Sequence, residues 1–575
     1  MRICLVTPFD WSQPHDVNEH VAGIAAELRR LGREVTVLAP SSRPRDLLES
    51  RRALEAGSPG DVVAIGPAVP VSRRSRLGVP LGARTTLELA LAAGRFDVVH
   101  GFEAGMPSLS YLALRDSTSL AVASFLSERR LGYPPGKAQR ERLLARLDAL
   151  VAPSDRVAAA AAERFPGDYV VLPVGVDLEL FRPGEKERLI VAEWAPPERT
   201  LVRAAIRTLR ELPDWRLVIV RTKPLAGRPY IPRDLASRVT VRTLRDGEAR
   251  APLLASAAIF VPAASGRERL RLEAAAAGAA LAAPAGVATQ PELAAAAMAR
   301  LAEDPEHRAR QAEAARDAAE GASFAAVAAG LDDLYRRLAA RRRTGRRPDD
   351  ALAGRPWIVA DLHLHTRWSH DCSIEVADLL DHAEAEGLGA IAVTDHNVFG
   401  GALEAVELAR GRDLVVIPGE EVKTDGQGEV IGLFLREEIP RGMSFAETIT
   451  AIKGQGGIVY VPHPFDRLHA IPDAATLRRH LAEIDVFEAY NARLLFDAYN
   501  DEAARFASKY NLTVGAGSDA HVLQGVGTGA VRMRRFDGPD EFLLSLRTAQ
   551  VLPRPKSLAY LQGLKWIAQA KERVR

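Results

Sequence analysis

The stretch DLHLHTRWSHD, residues 361–371, alternates leucine and histidine at its start. On a β-strand, side chains two residues apart point to the same face. His363 and His365 are therefore expected to share one face, and Leu362 and Leu364 to share the other, apolar face. Two imidazoles on one rigid strand form half of a site for zinc, manganese or iron. Because paired histidines at a strand end are also common as structural residues, this pattern alone does not define a metal site.

Further ligand-type side chains follow other predicted strands. Strands are predicted at 358–364, 390–394, 414–418, 457–461, 484–489 and 513–517, alternating with helices. The residues that follow or end these strands are Asp371 in the first loop, then Asp395 and His396, Glu420 and Glu421, His463, and finally Asp519 and His521. In β/α barrels the carboxyl ends of the strands carry the chemistry. Each residue alone has an ordinary explanation, such as a helix cap for an aspartate, but the recurrence as a whole favours one metal-binding rim.

Histidine is concentrated in the same region. Nine of the 13 histidines lie between His363 and His521, and histidine is the commonest metal ligand among side chains.

The second half resembles the PHP (polymerase and histidinol phosphatase) family of metal-dependent phosphoesterases. The resemblance is carried, in family order, by DLHLHTRWSHD, AIAVTDHN, VIPGEEV, VPHP and GAGSDAH, and it covers residues 357 to about 550. It implies a distorted seven-stranded β/α barrel that holds two or three divalent metal ions (Mn, Zn or Fe) and hydrolyses a phosphate ester.

The resemblance also assigns ligands by position. One metal is expected on His363, His365, Glu421 and Asp519, a second on Glu421 and His463, and a third on Asp371, His396 and His521. The family commonly places one more histidine after the fifth motif strand, where this chain reads Phe487-Glu-Ala-Tyr-Asn491. The second metal is therefore expected to bind through Glu488 or to be coordinated differently.

Several residues near the motifs are candidates for handling the substrate. Asp519 and His396 are expected to take part in catalysis as well as in metal binding. Arg367, Lys423 and Arg493 could bind phosphate oxygens, and simple solvation is the alternative for each. His370 could protonate the leaving oxygen.

The first half alternates strands and helices in a rhythm that predicts two successive doubly wound α/β domains. Residues 1–340 resemble a GT-B glycosyltransferase of family 4, and phosphatidylinositol mannosyltransferases in particular. The matching stretches are MRICLVTPFDWSQPHDVNEHVAGIAAELRRLGREVTVLAP, FDVVHGFEAGMPSLSYLAL, LPVGVDLELFRP and LEAAAAGAAL. Such enzymes bind a nucleotide-sugar between two Rossmann-like domains.

Four positions depart from the family pattern. His15-Asp16 stands where a Gly-Gly turn would approach the donor phosphates, and glycine is needed there for its conformational freedom. Ala192-Glu193, followed by Arg199, replaces a Gly-Arg that would bind the diphosphate. Glu273 keeps one member of an acidic pair whose other position is Ser265, and Leu126 replaces a histidine. The sequence therefore favours an inactive or repurposed transferase.

Length and composition set the frame for these assignments. The chain has 575 residues, a net charge of +2 and two cysteines, which indicates several domains, no strong attraction to nucleic acid and a reducing, cytoplasmic location. The expected domains are 1–185 and 186–340 (Rossmann-like), a linker at 341–356, and 357–575 (barrel). No integral membrane segment is expected, and oligomeric state is left open.

Three functions remain possible from the sequence. The first is a hydrolase acting on a small-molecule or nucleotide phosphoester at the barrel. The second is an active glycosyltransferase with an accessory barrel, and the third is a binding protein with both sites silent. A nucleotide-sugar or lipid-linked compound is the expected ligand of the first half. The nearly complete barrel ligands and the eroded transferase positions favour the hydrolase.

Overall fold

The computed structural model describes residues 1–72, 75–78, 83–194, 199–221, 229–263, 268–282, 291–343, 350–467 and 471–554. It divides into two compact units, Met1–Ala339 and Ala340–Arg575. Ser265, residues 344–349 of the predicted linker and residues 555–575 lie outside the described residues. No described helix has both the length and the apolar composition needed to cross a bilayer.

The first unit begins with an eight-stranded sheet in the order β4-β3-β2-β1-β5-β6-β7-β8. All neighbours are parallel except β3 and β4. The strands are β1 (Arg2–Val6), β2 (Glu34–Ser41), β3 (Val62–Ser72), β4 (Ser75–Gly78), β5 (Val98–Phe102), β6 (Leu120–Ser124), β7 (Ala149–Ala152) and β8 (Tyr169–Val171). The helices are α1 (Asp16–Arg30), α2 (Pro44–Glu55), α3 (Arg84–Gly94), α4 (Leu109–Asp116), α5 (Lys137–Arg146) and α6 (Asp155–Ala162). Strands β5 and β6 are buried along their whole length, as expected for parallel strands covered by helices on both faces.

A second, five-stranded parallel sheet completes the unit in the order β11-β10-β9-β12-β13. Its strands are β9 (Glu187–Glu193), β10 (Arg216–Arg221), β11 (Val239–Thr243), β12 (Ala257–Val261) and β13 (Ala280–Leu281). Its helices are α7 (Arg199–Thr208), α8 (Gly247–Ser256), α9 (Glu268–Ala276), α10 (Pro291–Glu303) and α11 (Pro305–Glu320). The last helix of the unit, α12 (Phe324–Ala339), returns to pack against α1. The predicted mixed α/β architecture with two sheets in the first half is therefore present.

The second unit contains one mixed sheet of nine strands in the order β20-β19-β18-β17-β16-β15-β14-β21-β22. The strands are β14 (Trp357–Leu364), β15 (Ala390–Val393), β16 (Val415–Lys423), β17 (Glu429–Leu433), β18 (Ile458–Val461), β19 (Val486–Asn491), β20 (Thr513–Gly517), β21 (Gly529–Arg534) and β22 (Gln550–Pro553). The helices are α13 (Val376–Ala385), α14 (Gly400–Leu408), α15 (Phe445–Gly454), α16 (Ala474–Arg479), α17 (Asp497–Tyr510) and α18 (Gly538–Leu546). A bridge between Leu364 and Ala520 joins the strand that starts the unit to the segment after β20, so the sheet is nearly closed into a barrel.

The predicted count of seven strands is corrected to nine among the described residues. The six predicted strands are present, and β17, β21 and β22 are additional. The additional strands are antiparallel to their neighbours. They were not predicted because the resemblance implies a repeated parallel β/α unit, whereas β17 follows β16 through a hairpin and β21 and β22 run antiparallel to their neighbours.

Candidate metal centre

The two histidines of β14 lie side by side in the interior of the barrel. His363 and His365 are fully buried, and their ring centroids are 5.1 Å apart. Leu362 and Leu364, on the other face of the strand, are also fully buried. The alternation seen in the sequence therefore separates an apolar layer from a polar interior.

Ligand-type atoms from five strand ends converge beside these histidines. Four groups of side chains offer ligand atoms that all lie within 4.8 Å of one another. The groups are His365, His396 and His521; His363, His365 and Asp519; His363, Glu421 and His463; and His396, Glu421 and Glu429.

Glu421 lies at the centre of the cluster, and its two carboxylate oxygens face different partners. Oε1 lies 3.0 Å from His463 Nε2. Oε2 lies 3.1 Å from His396 Nδ1 and 3.3 Å from His363 Nε2. A carboxylate with this arrangement is able to bridge two cations.

Asp371 and His521 form a further part of the cluster. His521 Nε2 lies 3.0 Å from Asp371 Oδ2, and His396 Nε2 lies 3.8 Å from Asp371 Oδ1. His521 Nδ1 is 3.0 Å from the backbone oxygen of Asp519, so its proton belongs on Nδ1 and its Nε2 lone pair faces the pocket. The structure thus brings together the residues predicted for a third metal.

The outer hydrogen bonds orient both histidines of β14. His363 Nδ1 donates to Glu488 Oε1 (3.1 Å), and His365 Nδ1 donates to Ser369 Oγ (3.2 Å), which in turn donates to Asp395 Oδ1 (2.6 Å). With the protons on Nδ1, both Nε2 lone pairs face the cluster. Partners of this kind commonly fix the tautomer and orientation of metal-ligating histidines.

The Nε2 atom of His365 supplies a direct test of whether a cation fits. It is buried and has no hydrogen-bond partner within the described part of the chain. It lies 3.4 Å from an oxygen of Glu421 and 3.4 Å from an oxygen of Asp519. Buried polar atoms are normally paired, so a lone pair aimed at two carboxylates fits a cation shared among these three side chains.

Backbone strain accompanies the ligand positions. His463 and Asp519 have φ angles of 24° and 52°, and neighbouring Asn397 has a φ of 53°. A residue with a side chain rarely adopts such angles, and strain of this kind clusters at functional sites.

The electrostatics of the cluster favour positive charge. Burial opposes protonation of His396 and His463, but the Glu421 carboxylate outweighs burial and raises the pKa of each to about 9. The same negative potential favours a divalent cation over a proton, since the cation carries two charges.

A pocket of about 320 Å³ opens onto the cluster. Its lining includes His370, Asp371, Lys423, Glu429 and Arg493. Of the predicted phosphate-binding residues, Arg493 and Lys423 therefore reach the pocket.

Arg367, the third residue predicted to bind phosphate oxygens during catalysis, is not brought to the described lining of this pocket. Its guanidinium pairs with Glu375 at 3.1 Å and with Glu404 at 3.2 Å. These partners are remote in sequence or on another element, so a local motif could not reveal them.

The places of Glu488 and Glu429 in the cluster differ most from those expected from the sequence. Glu488 is buried in the outer hydrogen-bonding layer and belongs to none of the four ligand groups found among the described residues. Glu429 belongs to one of them, and sequence reasoning missed it. The only signal was an acidic residue at the start of the apolar run 430–435.

The first unit has a different kind of charged cluster. Buried Arg250 donates twice to Glu273, at 2.6 Å for each bond, and Arg269 donates to Glu273 at 3.0 Å. Both guanidiniums also contact Glu19 of α1, at 3.3 and 2.9 Å. Two positive and two negative side chains therefore neutralise one another between α1 and helices α8 and α9.

The N-terminus of α1 is capped by His15, the residue just before the helix. His15 Nδ1 accepts from the backbone N–H of Val17 at 3.2 Å, and its ring stacks on Phe9 with a centroid distance of 3.6 Å. A helix start of this type is otherwise suited to bind phosphate. Glu193, at the second altered position, is buried at the end of β9.

Imidazoles and carboxylates gathered at one rim of the barrel form a candidate centre for divalent cations. The PHP domain model matches residues 361–503, and a PHP-associated model matches 497–551. The model named Glycosyltransferase Family 4 matches residues 17–180. The chain belongs to the PHP family through its second half and carries a family 4 glycosyltransferase region in its first, as the motifs predicted. A PHP domain implies divalent-metal binding and supports a hydrolase.

Individual relatives fall into two groups. Two uncharacterised proteins of Methanocaldococcus jannaschii are 37% identical over 144 residues and 33% identical over 214 residues. The matches cover 23% and 35% of this chain, and 84% and 85% of those proteins. A phosphatidyl-myo-inositol mannosyltransferase of Mycolicibacterium smegmatis is 30% identical over 241 residues, which is 38% of this chain and 58% of that enzyme. The chain thus spans little more than half the length of that relative.

Proposed function

We propose that residues 357–575 hydrolyse a phosphate ester with two or three divalent cations of the manganese, zinc or iron type. The observation that carries the proposal is the position of Glu421, whose two oxygens face His463 on one side and His363 and His396 on the other. Mixed imidazole and carboxylate ligands favour these metals over calcium, which prefers oxygen ligands.

The remaining ligands follow from the geometry. His365 and Asp519 share the cation position beside His363, and Asp371, His396 and His521 surround another. Two cations about 3.5–4 Å apart would neutralise the phosphate oxygens and supply hydroxide near neutral pH.

Arg493 is proposed to hold the phosphate. It lies 3.0 Å from Asp519 and 3.8 Å from Asp371, and it lines the pocket. The two carboxylates fix the guanidinium fork at the edge of the cluster, where the remaining N–H groups can donate to phosphate oxygens. Lys423, exposed at the pocket, adds a second positive charge for the same group.

His370 is proposed to protonate the leaving oxygen. It lines the pocket, and its ring centroid lies 5.7 Å from that of His396. Its exposure lets it exchange its proton with solvent between turnovers. The pocket volume suits a small-molecule or nucleotide phosphoester.

The first half is proposed to lack transferase activity. A nucleotide-sugar diphosphate needs positive groups that are available to bind it, whereas Arg250 and Arg269 are held by Glu273 and Glu19. The α1 start, which would otherwise bind phosphate, is capped by His15. Micromolar binding of a GDP- or UDP-sugar to the full chain, measured by calorimetry, would restore the transferase alternative.

A phosphoester panel tests the hydrolase. The full chain is assayed with manganese, zinc and iron, alongside His363→Ala and Asp519→Ala. Hydrolysis of at least one ester by the wild type, and its loss in both variants, is expected. Activity that survives both substitutions would place the reaction outside this cluster.

A further inference from the structure

Glu429 occupies the rim of the barrel because its strand runs in the reverse direction. Strand β17 is antiparallel to both β16 and β18. Its first residue therefore lies at the end of the barrel where the parallel strands finish. Glu429 is that first residue, and it lines the pocket.

The Glu429 carboxylate lies at ligand distance from two members of the cluster. Oε2 is 3.7 Å from His463 Nε2, whose distance to Glu421 Oε1 is 3.0 Å. Two donor atoms that each bind one cation at about 2.0–2.2 Å lie roughly 3–3.6 Å apart, so the 3.7 Å between Glu429 and His463 has to shorten only slightly when a cation binds. His396, Glu421 and Glu429 also offer ligand atoms within 4.8 Å of one another.

Glu488, by contrast, has its oxygens fully used. Oε1 accepts from His363 Nδ1 (3.1 Å) and Tyr460 Oη (2.9 Å). Oε2 accepts from the backbone N–H of His463 (2.6 Å) and from Asn491 Nδ2 (3.0 Å). An ionised carboxylate offers about four lone-pair sites, so a cation on Glu488 would have to displace one of these donors.

An independent observation shows that one buried nitrogen next to Glu421 has no partner among the described residues. His365 Nε2 is buried, is unpaired within the described chain and points at Glu421 and Asp519. Glu421 therefore faces an unsatisfied nitrogen on one side and the His463–Glu429 pair on the other.

We propose that Glu429 is the carboxylate ligand that completes the cation site formed by Glu421 and His463, and that Glu488 is a positioning residue for His363. This inference rests on the proposed metal-dependent function of the second unit. It replaces the expectation that the second metal binds through Glu488. A divalent cation that accepts two carboxylates and one imidazole, such as manganese or iron, is the ligand expected there.

Metal binding by four forms of the full chain tests the assignment. Wild type, Glu429→Gln, Glu488→Gln and Asp425→Asn are stripped, reloaded with Mn²⁺ and titrated with a competing chelator, and bound metal is counted by mass spectrometry. Asp425 is an exposed acid on the same β16–β17 hairpin, so its variant controls for the loss of one negative charge. The Co²⁺-substituted forms are compared by visible absorption.

Glu429→Gln is expected to weaken the most loosely held cation at least tenfold and to change the Co²⁺ spectrum. Asp425→Asn is expected to leave both properties unchanged. Glu488→Gln is expected to keep the number of cations at saturation while lowering affinity, because the acceptor that orients His363 loses its negative charge. Glu429→His, which returns a donor atom, should recover part of the lost affinity.

Two results would overturn the assignment. One is wild-type stoichiometry, affinity and Co²⁺ spectrum in Glu429→Gln. The other is loss of a whole cation in Glu488→Gln with retention in Glu429→Gln. The ester panel on the wild type is scored separately: a chain that loses a cation in Glu429→Gln but hydrolyses no ester refutes the proposed function and supports the ligand assignment.

Discussion

Replacing Ser369 by alanine should weaken metal binding without unfolding the barrel. The Ser369 hydroxyl is 2.6 Å from Asp395 Oδ1 and 3.2 Å from His365 Nδ1, and it accepts from the His396 backbone N–H at 3.1 Å. It therefore orients one imidazole and anchors the backbone that carries another. Alanine removes all three contacts and leaves the Nδ1 proton of His365 without its acceptor.

The size of the effect follows from these contacts. Loss of an orienting partner of a metal ligand typically lowers metal affinity 10- to 100-fold. That factor corresponds to about 1.4–2.8 kcal/mol of binding free energy. A buried polar group left unpaired also costs about 1–3 kcal/mol of folding stability in the metal-free protein.

Ser545→Ala separates the two effects. Ser545 is as buried as Ser369, at 1% exposure, and its hydroxyl donates to the Arg534 carbonyl at 2.7 Å. That contact lies outside the metal cluster. Both variants should lose stability in the metal-free state, but only Ser369→Ala should lose metal affinity.

Chelator competition and urea unfolding of the stripped and reloaded proteins give both quantities. Equal metal affinities for Ser369→Ala and Ser545→Ala would refute the role assigned to the Asp395–Ser369–His365 chain. Metal binding stabilises only the folded state. The stability gained on adding metal should therefore be smaller in Ser369→Ala than in wild type, by the amount of binding free energy that the variant loses.

Other substitutions examine separate parts of the molecule. Arg493→Ala should lower kcat/KM by about 10- to 100-fold, because a charged hydrogen bond to phosphate is lost, and steady-state kinetics showing no change would exclude it from substrate binding. Gly517→Ala places a new Cβ 2.2 Å from His363 Cβ, so it should lower the free energy of unfolding in urea by about 3 kcal/mol. In the control Gly354→Ala the new Cβ meets open space, and the free energy of unfolding should not change. Burial lowers the pKa of His20 from 6.5 to about 3, and its Nδ1 accepts from a backbone N–H. The unfolded chain therefore takes up this proton first as pH falls through 6.5. His20→Gln should lose about 2.3 kcal/mol less stability than wild type between pH 6.5 and 4.5, and equal losses in calorimetry would contradict that account.

The sequence predicted the parts of the cluster that follow parallel strands. Asp519 and His463 come directly after buried runs, and the carboxyl ends of parallel strands meet at one rim. Their convergence could therefore be inferred without coordinates.

Glu429 escaped the same reasoning because its strand is reversed. A search for polar residues after strands finds the wrong end of an antiparallel strand, and Glu429 precedes its apolar run. The position of Arg367 away from the described pocket lining was not predicted for another reason. Its partner Glu404 is 37 residues away on a different element. Pairing between surface charges depends on tertiary packing that local motifs do not encode.

A buried glutamate lies among imidazoles in the second half and among guanidinium groups in the first. Glu421 and Glu273 are both buried, at 1% and 0% exposure. Guanidinium groups have donors and no lone pair, so Arg250 and Arg269 neutralise Glu273 completely and leave nothing to bind a ligand. His363 and His365 instead donate their Nδ1 protons to Glu488 and Ser369, so their Nε2 lone pairs face the cluster around Glu421 and are available to a cation. A buried carboxylate beside such lone pairs can hold a cation, and this difference supports the proposal that the chemistry of the chain takes place in its second half.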